Sequence, residues 1–333
     1  MSAVDRPQAS TAVAPARGVF ATRAAIPALL VVFAIGLVIL ADRLAPGFAS
    51  AGNILQLLKL ASFLGIVALG QTLVMLVGGI DLSIAWVLTA SAVVFTSICA
   101  GQDANAPLAA AAAIGVGVAT GFLNGFGVVK LRIAPIVMTL AMNNIMLGAT
   151  LVYTGGTPSG GTSPFVRELA TGSLGGIPWM LLVWALLSVV AIAAIRYSRW
   201  GRRLLAVGEN ARVSFLSGID NDRVVIGAYV ISGVTASITG ILFASFSGAS
   251  FLGMGDQFVL PAIAAVVLGG TSMFGGRGGY GGTIAAVLFA TILSTVLVIG
   301  SISAGVRSVV FGVAVLAAII AQRLLTRGDD RES

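Results

Sequence analysis

The sequence has no histidine. Serine–histidine triads, imidazole-ligated zinc and imidazole proton relays are therefore excluded. The one cysteine, Cys99, sits inside an apolar run, so neither a disulfide framework nor a cysteine metal site can form within the chain. Lysine occurs only at Lys59, after Leu58, and at Lys130, after Val129. Neither makes the Gly-Lys-Ser/Thr of a P-loop, whose backbone amides and lysine cradle phosphates. If ATP drives this protein, a different chain binds it. Charged residues make up only 9% of the sequence, against roughly 25% in soluble domains, so a water-facing fold would have no polar skin. The formal charge is +7. Its basic residues are dispersed at the ends of apolar blocks, which is the pattern of membrane orientation and not of nucleic-acid binding. No nucleophile–base pair or metal constellation stands out, so neither catalytic residues, metal nor cofactor is expected.

What is present is apolar sequence. It makes up 58% of the 333 residues, in blocks at approximately 26–41, 54–78, 82–100, 107–129, 134–153, 177–196, 223–249, 258–275, 280–300 and 303–324. A helix needs about 20 such residues to cross the hydrocarbon core, and there it satisfies its own backbone hydrogen bonds. Transmembrane β-barrels alternate apolar and polar residues, and these blocks do not. The fold class is an all-α polytopic integral membrane protein with about ten transmembrane helices. Residues 1–25 read as a cytoplasmic tail carrying Arg6, Arg17 and Arg23. No small-x-small cleavage site directly follows the first block, which therefore reads as a first span rather than a signal peptide. The membrane domain is 26–324, and 325–333 is a second cytoplasmic tail. With both ends inside, all of the 19 basic residues except Arg43, Lys59, Arg167 and Arg307 fall on the cytoplasmic side. That bias points to N-in, C-in and an even span count.

Glycine, at 43 residues, has two uses. Gly117, Gly121 and Gly125 form a small-xxx-small stripe that lets helices approach closely. Gly78-Gly79 before Asp81, and the run from Gly269-Gly270 to Gly275-Gly276-Arg277-Gly278-Gly279, are candidate helix interruptions. Broken helices in both halves of a membrane chain point to an internal duplication and to a transport path. Of the connections, 154–176 is the longest on the outside, and its Gly, Ser, Thr and Pro content predicts an irregular, mobile loop. The longest inside connection, 197–222, predicts a short helix capped by Asn210 and ended by Gly218.

Few polar residues enter the spans, and each has two readings. Asp81, costly at membrane depth, must face protein or water. It either caps the helix that follows or contacts a solute or coupling ion. Gln71, Asn124, Asn143 and Asn144 supply amides that either bond helix to helix or line a translocation path. Tyr153 and Trp179 fit the interfacial aromatic belt, and Lys59 and Arg307 snorkel from outer helix ends. The amphipathic segment around Gly208-Glu209-Asn210 either lies on the anionic lipid leaflet or docks as a knob in a groove of a cytoplasmic partner. A proton- or sodium-driven transporter would spread ionisable residues through its spans, whereas Asp81 stands nearly alone.

Three segments together resemble the permease family of bacterial ABC importers for ribose and similar monosaccharides. They are Val-Gly-Gly-Ile-Asp-Leu-Ser at 77–83, the stretch 199–219, and the stretch 260–279 with its Gly-Gly-Thr-Ser and Gly-Gly-Arg-Gly pieces. Their order and spacing match that family from about residue 20 to the end. The resemblance implies a multi-pass subunit of the inner membrane that is not an enzyme. Two permease copies, a homodimer, would line the path. A periplasmic substrate-binding protein would deliver the solute, and cytoplasmic ABC ATPases would drive alternation. The resemblance also moves 208–218 to the docking reading. Gly208, Asn210, Leu216, Ser217 and Gly218 match the family's ATPase-coupling segment, with Glu209 and Phe215 among them. Glu209 stands where a second glycine is common, and Val213-Ser214 where alanines are. Ribose-type members often carry acidic residues before the Ala-Ile-Ala-Ala-Val-Val stretch. Here Gln257, Leu260 and Pro261 stand there, with Asp256 just upstream. Nucleosides, branched-chain amino acids and a signalling furanose therefore remain alternative solutes.

Overall fold

A computed structural model of the chain describes residues 17–329, with side chains described over 27–320. The terminal parts of both expected tails, with Arg6 and Arg331, lie outside the described residues. The chain runs helix after helix: α1 (Arg17–Leu44), α2 (Ala51–Leu76), α3 (Ile84–Cys99), α4 (Ala106–Val129), α5 (Pro135–Thr154), α6 (Pro164–Thr171), α7 (Trp179–Tyr197), α8 (Arg199–Glu209), α9 (Ala211–Leu216), α10 (Asn221–Ser247), α11 (Asp256–Leu268), α12 (Tyr280–Ile299) and α13 (Ala304–Asp329). Among the described residues the only strands are β1 (Ser173–Leu174) and β2 (Ile177–Pro178), an antiparallel hairpin.

Ten of these helices fall on the ten apolar blocks. Seven are long and apolar enough to cross a membrane: α1 from Pro27, α2, α4, α5, α7, α10 and α12. Two are shorter, α3 and α11, and α13 continues to Asp329, with Ala304–Ile320 the apolar stretch among the residues whose side chains are described. The first block proves to be part of a longer helix, which begins at Arg17 within the expected tail. The eighth block overstates its helix. Gly269-Gly270 ends α11 at Leu268, with Gly270 at φ +86°, a left-handed conformation that costs glycine least.

α2 and α3 form the centre. From Ala61 to Leu76 every residue of α2 is buried, and α3 is buried along most of its length. Around them stand α4, α7, α10, α11 and α12, while α1, α5 and α13 present apolar side chains outward, as lipid requires. The predicted glycine stripe faces α10. A Cβ on Gly125 would lie 2.7 Å from Ile226 Cα, and one on Gly121 2.7 Å from Val230 Cα, so the two helices touch backbone to backbone. Tyr280 ties three helices at the core: its hydroxyl donates to the Gly65 carbonyl at 2.7 Å and accepts from Trp184 Nε1 at 2.8 Å.

The connection 154–176, expected on the outside, is more ordered than its composition predicts. Ser163 caps α6, its Oγ accepting from the Val166 amide at 3.1 Å, and Pro164 occupies the first turn, where no amide is missed. Lys59 Nζ donates to the Thr171 carbonyl at 2.7 Å, and Asp103 accepts from the Phe165 amide at 2.9 Å. Lys59, expected to snorkel, thus has a specific protein acceptor.

Candidate functional site

The two glycine-rich breaks meet. After Leu76 the chain turns at Gly78, at φ +79°, and the Gly79 amide closes back on the Val74 carbonyl at 2.9 Å. It then runs without helix to α3. The second break, 269–279, closes on itself through the Ser272 amide and the Arg277 carbonyl at 2.8 Å. Its Gly276 amide donates to the Leu76 carbonyl at 2.9 Å, a direct backbone bond from one break to the other. Beside this junction lies a cleft of 310 Å³, bordered by Gly78, Ile80, Pro135, Ile136, Phe274 and Ile319 among others. Both breaks, the start of α5 and the stretch of α13 around Ile319 therefore share one end of the molecule.

Asp81 lies in the first break and is almost completely buried. Its Oδ1 accepts from the Ser83 amide at 2.9 Å and from Ser83 Oγ at 2.6 Å, and its Oδ2 accepts from Ser232 Oγ at 2.7 Å. Asn124 Nδ2 donates to Ser83 Oγ at 2.8 Å, and Thr139 Oγ1 donates to the Ile80 carbonyl at 3.1 Å. One short segment is thus bonded to α4, α5 and α10. Ser232 is eleven residues into α10, about 16 Å along its axis. This is a buried network, not a surface cap.

The other amides divide. Gln71 is fully buried on α2, and neither of its side-chain polar atoms meets a partner among the described residues. Asn124 Oδ1 and the Tyr229 hydroxyl, both buried, are likewise unpartnered there. Asn143 is partly buried. Asn144 is exposed in the middle of α5, its side chain bonded among the described residues back to the Leu140 carbonyl at 2.9 Å. The structure brings Asp81 and Asn124 together through Ser83. Gln71 follows Gly70, at which a Cβ would lie 2.7 Å from Ser232 Cα, but its side chain has no bond to this network among the described residues. Asn143 and Asn144 belong to a separate face. Ser83 stood in the segment 77–83 without a role of its own, whereas Ser232 and Tyr229 escaped sequence reasoning. Their signal was the run of hydroxyls from Tyr229 to Thr239 along an otherwise apolar span.

At the same end as the breaks sits the 197–222 connection. Ser198 caps α8, its Oγ accepting from the Gly201 amide at 2.9 Å. Gly201, Leu204 and Val207 are buried, while Arg199, Arg202 and Arg203 face out. Asn210 then caps α9, its Oδ1 accepting from the amides of Arg212 and Val213 at 3.0 and 3.1 Å. Gly218, at φ +77°, ends the segment. Cap and terminator are those the sequence predicts. Of α9 only Ser214 is buried, bonded to Asn221 Oδ1 at 2.9 Å. Phe215 and Leu216 are 69% and 77% exposed. Close by, Lys130 meets Asp222 at 2.6 Å; that hydrogen bond, and then the carboxylate's charge, hold the ammonium above the ordinary lysine range.

Comparison with known proteins adds lineage to this geometry. The family model described as branched-chain amino acid transport system / permease component matches residues 53–320. The chain belongs to this permease family. The permease is 36% identical over 290 residues to the ribose import permease RbsC of Bacillus subtilis (strain 168), covering 86% of this chain and 89% of that protein. It is 34% identical over 297 residues to the ribose import permease RbsC of Escherichia coli (strain K12), covering 88% and 91%. It is 31% identical over 282 residues to the autoinducer 2 import system permease LsrC of Shigella flexneri, covering 83% and 82%. No solved structure matches. The spans and the family together make the permease a multi-pass protein of the inner membrane.

Proposed function

We propose that this chain is the membrane-spanning subunit of an ATP-binding-cassette importer in the bacterial cytoplasmic membrane. It moves a monosaccharide delivered by a periplasmic binding protein, driven by separate ATPase subunits. The observation that carries the reading is α9. A helix with Phe215 and Leu216 bare to solvent, on a connection packed against two helix breaks, suits a groove on a cytoplasmic partner. In this reading Gly208, Glu209, Asn210, Phe215, Leu216, Ser217 and Gly218 form the ATPase-coupling segment. ATP-driven closure displaces it and shifts the permease between inward- and outward-open states, and energy enters only through contacts that differ between the two.

The finer architecture follows as part of the proposal. Ten spans run with both ends inside, α3, α11 and α13 completing the seven longer ones. A second copy stands against α5, because Asn144, exposed at mid-span, is poorly placed against lipid and well placed on a water-lined path. Asn143 and Asn144 line that path, with Gln71, Asp81 and Asn124 set behind it as the polar framework of the first break. Relatives named for ribose and for autoinducer 2 support a small hydroxylated solute.

The test is reconstitution in lipid with the ATPase and binding protein that co-occur with this permease, followed by a panel of pentoses, hexoses, nucleosides and branched-chain amino acids. ATP hydrolysis stimulated by a pentose or hexose with its binding protein is the expected result. Absence of any ATPase association overturns the reading, and stimulation by an amino acid alone replaces the solute.

A further inference from the structure

Glu209 ends α8, and its Oε1 accepts from Arg277 Nη2 at 3.0 Å. Arg277 belongs to the second break, 68 residues further along. The contact is backed by main chain on both sides. A Cβ on Gly276 would lie 2.6 Å from the amide nitrogen of Glu209 and from its Cα, and one on Gly275 would lie 2.9 Å from the Gly208 carbonyl and from the Gly78 amide. A Cβ on Gly208 would collide with the Leu76 carbonyl and the Gly276 amide. The end of α8, the end of α2 and the loop 269–279 are therefore packed main chain against main chain, with the Glu209 carboxylate lying over Gly276 as the one side chain close in the contact.

Such a node transmits displacement well, because no rotamer is available to absorb it. Its weakness is register at α8: the Gly276–Leu76 bond fixes the loop against the end of α2, whereas the glycine contacts of α8 offer little to stop it from sliding. An ion pair across the node supplies the missing stop. Both partners are about half exposed, at 52% and 56%, so the pair is screened and easily broken and re-formed. That suits a contact remade in every transport cycle.

We propose that Glu209 and Arg277 are positioning residues for transport. Their ion pair sets the register in which α8 and α9 act on both helix breaks, so that motion of the coupling segment reaches 77–83 and 269–279 together. The inference rests on the reading above that α9 meets an ATPase.

The test uses the complete transporter in proteoliposomes and reads solute moved per ATP hydrolysed, with co-purification of the ATPase as a separate measure of assembly. Arg277→Glu sets two carboxylates together and is expected to lower the ratio about three- to tenfold while the ATPase still co-purifies. Arg277→Gln, the milder variant, is expected to lower it about two- to fivefold. Glu209→Arg combined with Arg277→Glu is expected to restore the ratio to within about twofold of the native protein. A merely structural role would reduce assembly and yield and leave the ratio alone. An unchanged ratio in Arg277→Glu, or a charge swap that assembles but stays uncoupled, overturns the proposal while native coupling leaves the parent reading standing. Native protein that recruits no ATPase removes both.

Discussion

A carboxylate buried at membrane depth survives only where donors replace its water. Asp81 has three: the Ser83 amide, the Ser83 hydroxyl and the Ser232 hydroxyl. Asp81→Ala leaves these groups without their acceptor, and each buried group orphaned in this way costs about 1–3 kcal/mol. Allowing for relaxation, the variant is expected to lose about 2–4 kcal/mol of stability, read as a fall in thermal midpoint of the purified protein in lipid nanodiscs. Asp81→Asn keeps one carbonyl acceptor and should fall between the two. If Asp81 instead served solute contact alone, the alanine variant would keep its midpoint and lose only uptake. The glycine stripe makes a second residue-scale case. Gly125→Ala places a methyl group 2.7 Å from Ile226 Cα, so α4 and α10 must part at a cost of about 1–3 kcal/mol. The same midpoint measurement reads it.

At the scale of elements, α9 separates folding from function. Its outward face makes no contribution to the core, since Phe215 and Leu216 are exposed and Ser214 carries the inward bond. Leu216→Arg is therefore expected to insert and fold at native yield yet abolish uptake and ATPase co-purification. Normal uptake by that variant would count against the coupling assignment. This element was legible in the sequence because its signals are local: Asn210 is followed by a short amphipathic run and then by glycine. The apolar blocks were legible for a similar reason, each being set by composition over a full helix length. What could not be read depends on distant partners. Lys59 donates to Thr171 across 112 positions, and Ser232 finds Asp81 across 151. The helix α6 hides in a Gly/Ser/Thr/Pro-rich stretch because only Ser163-Pro164 marks it, and its order owes as much to Asp103 and Lys59 as to its own residues. Arg277 read as one basic residue in a glycine run, and nothing local to it names Glu209.

The whole molecule turns on two helices that are short for a bilayer. α3 has 16 residues and α11 has 13, about 24 and 20 Å of helix, against a hydrocarbon core of about 30 Å. Each is joined to a glycine break, and nonhelical chain rises about 3.3 Å per residue instead of 1.5. If both helices cross, a few residues of 77–83 or 269–279 make up the missing depth. Their exposed peptide groups are tolerable because the breaks are packed in protein and bonded there, as the Gly276–Leu76 bond shows. If α3 and α11 cross in this way, every loop falls on the side that the arginines favour. In a Cys99→Ser background, cysteines at Gln102, Ala249 and Ser303 are expected to react with an impermeant maleimide in spheroplasts, where the outer face is accessible. Cysteines at Lys130, Ser217 and Phe274 should react only once the membrane is opened. The decisive pair is Ala249 and Phe274, which flank α11. Labelling of both from the same side would show that α11 enters and leaves on one face, and the ten-span arrangement with both ends inside would have to be given up.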